Sequence, residues 1–451
     1  MNRKFNYHSL EELQTEVRQN NIELDFSENT DVLNRNLMIN NHRIPNRLAI
    51  QPMEGCDSDE QGNPGKLTFR RYKRFAEGGA GLIWFEATAI LSEARSNPHQ
   101  LLLDDSTEPA FAELLRMTKN RAIQEYGIHH EPFCVLQLNH SGRFSKPEGI
   151  RKPLIAVHHS ILDKVVNIDE NYPLLEDGQL KYIQEKFVKS AKLAYKAGFD
   201  AVDIKSCHGY LILELLGAKN RTGEYGGSYQ NRTRFLKETI ELIKQEVPML
   251  IITTRLNISN VIFAGNSWGI SKNNNTGEWE IDLSEPKRLV KELDNLGVSL
   301  INATAGVPYF NPYIGRPYDQ PVEGGCKEPE SPLKGVERLF KFARQIQEIV
   351  PDLPIMGTGY SWLRQFGGAA AAANLRKGHH SLAGFGRQAF AYPDFARNLL
   401  EKGQMEDKKC CITCSKCSRL MICQSKTGCV VRDAYLYANV YKEVLAVSKN
   451  K

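Results

Sequence analysis

The sequence predicts an α/β fold: a (β/α)8 TIM barrel with an N-terminal extension and a C-terminal cysteine-rich segment plus helix. Three observations predict it. Between Leu48 and Glu401, apolar runs of strand length alternate with amphipathic helical stretches, the pattern of parallel strands joined by crossover helices. Eight such pairs can be counted, which favours a closed barrel over its runner-up, a doubly wound open sheet. Polar and reactive side chains collect just past the ends of the apolar runs, where barrels carry their chemistry.

Residues 1–40 are polar and mixed, with one helix expected near Leu10 to Asn20, and form the N-terminal extension. The barrel is expected over 41–405. LAIQPM (48–53) precedes a helix from Leu67 to Glu77, and GLIWFEATAI (81–90) precedes one from Ala110 to Glu125. PFCVLQLN (132–139) leads through a long loop to Leu180–Lys196, and AVDIKS (201–206) leads to Arg232–Gln245. MLIITTRLN (249–257) precedes Glu285–Leu296, and SLINAT (299–304) precedes Gly335–Ile349. PIMGTG (354–359) precedes an alanine-rich helix at Leu363–Leu375, and SLAGFG (381–386) precedes Tyr392–Glu401. Residues 406–451 stand apart as a Lys- and Cys-rich appendage that ends in a helix.

Composition narrows the function. Of the 451 residues, 41% are hydrophobic and 25% charged, as in soluble globular proteins. A formal charge of +5 is too mild for a dedicated nucleic-acid protein, and no apolar run is long enough to cross a bilayer. The first residues, MNRKFNYHSLEELQTEV, carry no secretory core, so a cytoplasmic, reducing location is expected.

The densest chemistry lies in Gly198–Phe235. The short run Ala201–Ile204 ends in Lys205, Cys207, His208 and Tyr210, followed by a stretch rich in Gly, Asn and Arg. Gly357-Thr358-Gly359 and Gly384-Phe385-Gly386-Arg387 end the last two runs. Glycines there let backbone N–H groups approach a phosphate, and Arg387 adds a charged contact; one such run alone would mean only a tight turn, but two at the last two strands, with an Arg, favour the phosphate. Six of the ten cysteines fall between Cys410 and Cys429. Cys411, Cys414, Cys417 and Cys429 have the spacing of a [4Fe–4S] site, with structural zinc as the competitor and unliganded thiols as the third option.

Segments along the chain resemble those of the Old Yellow Enzyme family of flavin-dependent oxidoreductases. Asn46–Met53 is similar to the first strand, Gly79–Gly81 through Glu86-Ala87-Thr88 to the second, LQLNHSGR to the third, and His208-Gly209-Tyr210 with Tyr225–Ser228 to the fourth. The resemblance implies FMN held by Pro52, Met53, Glu54, Ala87, Gln137, Arg255, Gly359, Gly384, Gly386 and Arg387. Gln137 would meet the flavin pyrimidine edge and Arg255 the N1/O2 side, where its charge stabilises the reduced ring. It implies catalysis by Lys205, His208 and Tyr210: two groups hold a carbonyl oxygen while the Tyr210 phenol protonates an alkene carbon. Lys205 stands where the family has a first His. Its charge suits an anionic oxygen, unless it is paired with a nearby carboxylate.

The cysteine segment resembles that of the 2,4-dienoyl-CoA reductase and trimethylamine dehydrogenase branch. That branch continues with further flavin and pyridine-nucleotide domains, and the sequence stops at Lys451, so those domains are expected to be absent. A cluster would then draw electrons from an external donor protein; without one, NAD(P)H would reduce the flavin directly. The expected activity is reduction of an activated C=C bond by hydride from flavin N5, with amine or alcohol dehydrogenation as the alternative. The expected partners are a small-molecule substrate, an electron donor and a further copy of the chain, with neither nucleic acid nor membrane.

Overall fold

The alternation translates into eight parallel strands that close on themselves. The computed structural model describes residues 4–323, 325 and 329–449. The barrel strands are β1 (Leu48–Ile50), β2 (Leu82–Ala89), β3 (Phe133–Asn139), β4 (Ala201–Ile204), β5 (Ile251–Ser259), β6 (Leu300–Ala305), β7 (Ile355–Gly357) and β8 (Leu382–Phe385). Each pairs in parallel with its sequence neighbour, and β8 returns to β1 through Ala383 opposite Leu48. The helices between and after them are α1 (Lys66–Glu77), α2 (Glu108–Tyr126), α3 (Asp177–Lys196), α4 (Tyr229–Glu246), α5 (Ser284–Asn295), α6 (Pro332–Gln347), α7 (Gly367–Arg376) and α8 (Phe395–Lys402). The open-sheet alternative is thereby removed, since no barrel strand is left as an edge.

Side chains alternate along each strand, and this sorts the interior by height. Leu82, Trp84, Val135, Ala201, Ile251, Leu300, Met356 and Leu382 form one apolar layer. The short hairpin Leu37–Ile39 with His42–Ile44 packs Ile39 and Ile44 into that layer and caps the end of the barrel where the strands begin. Two residues further along β3, β4, β5 and β6 the same alternation brings Gln137, Asp203, Thr253 and Asn302, all buried. The barrel is therefore apolar at its closed end and polar toward its mouth.

Two bulges sit near that mouth. Between β2 and β3 the pairing runs Phe85↔Leu136 and then Thr88↔Leu138, so β2 carries one extra residue. Past this point Glu86 serves the outside of the barrel: it accepts from Gly55 N–H and Arg71 and hydrogen-bonds the Tyr72 hydroxyl. An irregularity of the same kind lies where Thr304/Ala305 of β6 meet β5. Bulges re-aim side chains beside active sites, and both lie where the strands deliver their polar groups.

The flanking segments are sewn onto this body. The helix Leu10–Gln19, capped by the Ser9 hydroxyl, buries Leu13 and Val17 in the main core. At the other end, Arg70 and Arg74 of α1 grip Asp433, and Thr427 N–H donates to Gly55 O at 2.7 Å. Cys410 and Cys411 join the main core, while Leu420, Val430 and Tyr437 make a small one of their own. No helix among the described residues is long and apolar enough to cross a membrane.

Candidate functional site at the barrel mouth

Asp203 of β4 organises the polar layer. Its Oδ2 accepts from Trp84 Nε1 at 2.9 Å and from Gln137 Nε2 at 2.6 Å, while its Oδ1 accepts the Arg255 backbone N–H at 2.6 Å. Burial lifts its pKa to about 6, against the pull of those three donors. The Gln137 amide therefore spends one N–H on Asp203, which leaves it one further N–H and its carbonyl for a ring edge. Gln51, just after β1, exchanges two amide hydrogen bonds with Asn302 of β6, at 3.1 and 2.7 Å.

Above this layer the chain turns sharply at His208 and Gly209, whose φ angles are 66° and 81°. A left-handed histidine is costly and needs an anchor. Here its N–H donates to Asn257 Oδ1 at 3.3 Å. A Cβ on Gly209 would lie 2.8 Å from Val307 and 2.9 Å from Phe144, so the turn also packs tightly under the opposite loops. It places Lys205, His208 and Tyr210 together.

Lys205 does have the carboxylate partner that was one reading of its sequence position. Its Nζ lies 4.0 Å from Glu54 Oε1, with the two side chains only 3% and 12% exposed. Glu54 also accepts from Ser96 Oγ at 3.0 Å. Burial lowers the lysine pKa and raises that of Glu54, each opposed by the other's charge. Lys205 Nζ also sits 4.0 Å over the Tyr210 ring. His208 is held well below its usual range by burial and by Arg255, Lys205 and Arg387, so its imidazole is neutral. Burial, then Tyr309 and Glu54, push the Tyr210 phenol well upward, so it stays protonated.

Sequence reasoning missed Tyr309. Its hydroxyl lies 2.9 Å from that of Tyr210, and its ring stacks on Phe144 at 3.8 Å. The only sequence signal was an aromatic pair, Tyr309-Phe310, just past the end of β6.

The other predicted cofactor residues lie at the same end of the barrel. Pro52, Met53 and Glu54 follow β1, and Ala87 sits in the β2 bulge with its carbonyl accepting from Gln100 at 3.2 Å. Gly359 follows β7 with a φ of 112°. A Cβ on Gly384 would come 2.3 Å from Gln51 Nε2, and one on Gly386 3.5 Å from Met53 Sδ, so backbone approaches closely on this side. Arg387 reaches Ser418 at 3.0 Å, and Arg316 reaches Ser415 at 2.8 Å, both in the cysteine segment.

The sequence profile of the NADH:flavin oxidoreductase / NADH oxidase family matches residues 34–272. The chain belongs to that family. It is 35% identical over 216 residues to the NADPH dehydrogenase of Clostridium acetobutylicum, covering 47% of this chain and 59% of that one. It is 27% identical over 413 residues to the NADH oxidase of Thermoanaerobacter brockii, covering 90% of this chain and 56% of that one. The chain thus spans between half and two thirds of these relatives. The fold is shared with 2-naphthoyl-CoA reductase in its complex with 2-naphthoyl-CoA, at 18% identity and a TM-score of 0.70 over 89% of this chain and 57% of that one.

NADH:flavin oxidoreductases use a flavin, and the residues present fit FMN. Arg255 Nε and Arg387 Nε are buried with no hydrogen-bond partner. Burial first, and then the charge of Arg387, depress the pKa of both Arg255 and Arg316, and among the described residues none of the three arginines has an ion pair. Uncompensated buried cations are costly and call for an anion. A phosphate and an electron-rich ring would supply both.

The cysteines are brought into one neighbourhood. Burial raises the Cys411 thiol pKa, and Cys417 and Cys429 raise it further; Cys429 in turn feels Cys417 and Cys414. Among the described residues, however, no three His, Cys, Asp or Glu side chains are grouped so as to hold a metal ion. The run from Asn220 to Arg234 is scaffold: Arg232 binds Leu216 O at 2.6 Å and Glu285 of α5 at 2.6 Å.

Proposed function

We propose that this chain is an FMN-dependent oxidoreductase of the ene reductase type, acting on the activated C=C bond of an α,β-unsaturated carbonyl or acid. One observation carries the reading: a protonated phenol, an ammonium and a neutral imidazole crowd one turn beside arginines that lack counter-ions. FMN, when bound, supplies the hydride from its N5. Arg255, aimed from β5, would favour negative charge on the ring, while Gly359, Gly384, Gly386 and Arg387 would take the phosphate.

Lys205 and His208 hold the substrate oxygen. A neutral imidazole donates one N–H without adding charge, and the Lys205 ammonium stabilises the enolate as it forms. Because Glu54 offsets that ammonium, the pocket favours a neutral enone over a carboxylate more than a lone lysine would. Tyr210 gives its proton to the second alkene carbon. Tyr210→Phe should therefore lower kcat on a good enone by roughly 10²- to 10⁴-fold, the usual worth of a general acid. A variant within a factor of two of the parent across an enone panel would end the assignment.

The second reading is amine or alcohol dehydrogenation. Glu54 together with the ring faces of Tyr210, Tyr309 and Phe144 suits a cationic amine, which an amine panel run beside the enones would detect. We infer also that Cys411, Cys414, Cys417 and Cys429 hold a [4Fe–4S] cluster, supported by their spacing and their mutual electrostatic contact; zinc is the alternative. Iron and zinc analysis with an absorption spectrum of anaerobically prepared protein separates the two. Rapid flavin bleaching by NADH or NADPH alone would make a protein electron donor unnecessary.

A further inference from the structure

Tyr210 has a difficulty as a proton donor. It is 5% exposed, so once it has given up its proton the phenolate is sealed from water. The groups around it are Lys205 on β4's extension, Glu54 after β1, Phe144 in the loop after β3, and Tyr309 in the loop after β6. Lys205 meets the ring face at 4.0 Å and is tied to Glu54 at the same distance, and no hydrogen bond joins it to the Tyr210 hydroxyl. Phe144 carries no proton. Tyr309 alone of these shares a hydroxyl–hydroxyl hydrogen bond with Tyr210, at 2.9 Å, in which either oxygen can donate; the residue as a whole is 39% exposed, though burial raises the pKa of its phenol as it does that of Tyr210.

We propose that Tyr309 is the relay that returns the proton to Tyr210 from solvent. The inference rests on the ene reductase reading and deepens it. The steps balance. A hydride adds to one alkene carbon, and the Tyr210 O–H bond breaks as a C–H bond forms at the other, leaving a Tyr210 phenolate. The Tyr309 O–H then breaks as the Tyr210 O–H reforms, and a water molecule gives Tyr309 a proton in its turn. No further oxidant or reductant is required. Tyr309 acts through Tyr210, so it is a positioning and relay residue. The Phe144 stack at 3.8 Å and 13° between ring planes fixes its ring, and with it the direction of the hydroxyl. A hydrogen bond to a phenolate is also stronger than one to a phenol, so Tyr309 stabilises the charge that appears on Tyr210.

The test uses full-length enzyme loaded with FMN and reduced with dithionite, which bypasses the identity of the natural donor. Flavin reoxidation is followed over rapid successive turnovers, each of which after the first requires a reprotonated Tyr210, with cyclohexenone and, separately, with ferricyanide, which requires no proton on carbon. Wild type, Tyr210→Phe and Tyr309→Phe are compared. Expected is a slowing of Tyr309→Phe by about tenfold or more on the enone, with ferricyanide unchanged. A second readout needs no flavin: in protein labelled with 3-fluorotyrosine, the fluorine resonance of Tyr210 should move when Tyr309 becomes Phe. The relay is overturned if Tyr210→Phe is slow on the enone while Tyr309→Phe keeps the parent rate. Equal slowing on both acceptors, or an unmoved Tyr210 resonance, overturns it as well. If wild type itself reduces no enone, the ene reductase reading fails and the relay falls with it. The fluorine experiment still reports whether the two phenols are bonded.

Discussion

Glu54→Gln is the perturbation with the largest calculable effect. The carboxylate lies 4.0 Å from the Lys205 ammonium, and both side chains are largely out of water. At an effective dielectric of about 20, two unit charges at that separation attract by about 4 kcal/mol. Glutamine keeps the shape and can still accept the Ser96 hydroxyl but leaves a buried cation unpaired, a defect that costs about 3–5 kcal/mol. The sign with pH follows from the lysine. Its pKa is lowered in the folded protein from 10.5, so in the alkaline range below 10.5 the unfolded chain binds more protons, and stability rises with pH. In the wild type Glu54 works in the opposite sense: its raised folded pKa stabilises below 4.5, and that contribution is lost as pH climbs through the folded value. The variant lacks the second effect and exaggerates the first. Urea unfolding at pH 7 and pH 9.5 should show a large deficit at pH 7 that shrinks at pH 9.5. Glu54→Gln/Lys205→Met should recover most of it, since a neutral pair leaves no orphan charge. A Glu54→Gln protein as stable as its parent at pH 7, or a deficit that persists unchanged to pH 9.5, would refute the argument.

Asp203 has a folded pKa of about 6 against an ordinary 3.8, so its contribution to stability is full below 3.8 and lost as pH rises through 6. Asp203→Asn should flatten the pH dependence of the melting temperature across that window; a wild-type slope in the variant would count against the assignment. Arg255→Met should weaken FMN binding by about 10- to 100-fold, the worth of one charged hydrogen bond, without destabilising the apoprotein, because Arg255 Nε has no protein partner to lose. Flavin-fluorescence titration with a parallel melting curve checks both halves. Cys429→Ser should abolish the broad visible absorbance of an iron–sulfur cluster and its iron content while leaving the flavin bands; iron retained in full would remove Cys429 from the ligand set.

The barrel was readable because its signal is local. Strand and helix periods of about 2 and 3.6 residues are written in consecutive side chains. The helix expected at Ala110–Glu125 is found at Glu108–Tyr126, and the one expected at Leu180–Lys196 begins three residues earlier, at Asp177. The crowded turn after β4 was readable for the same reason: Lys205, His208 and Tyr210 are near neighbours in the chain. The two bulges were not, since an extra residue in β2 is visible only against β3.

Charge and hydrogen bonding at the site were the hardest to read, and Lys205 shows why. Its residue type left two roles open, and the choice lay with Glu54, which stands on another strand's end and comes within 4.0 Å only because the barrel closes. Tyr309 was passed over because the aromatic pair in VPYFNP does not say which ring enters the site until the β6 loop brings the Tyr309 hydroxyl to Tyr210.

By itself the sequence determined the order of elements, the strand ends that carry chemistry, and the glycines and arginines suited to a phosphate, because these depend on residues close together in the chain. The tertiary structure alone decided which charges are neutralised, which cations stay unpaired and which phenols touch. Those properties depend on separation and on exclusion of water, and both arise only when distant strands meet around one mouth.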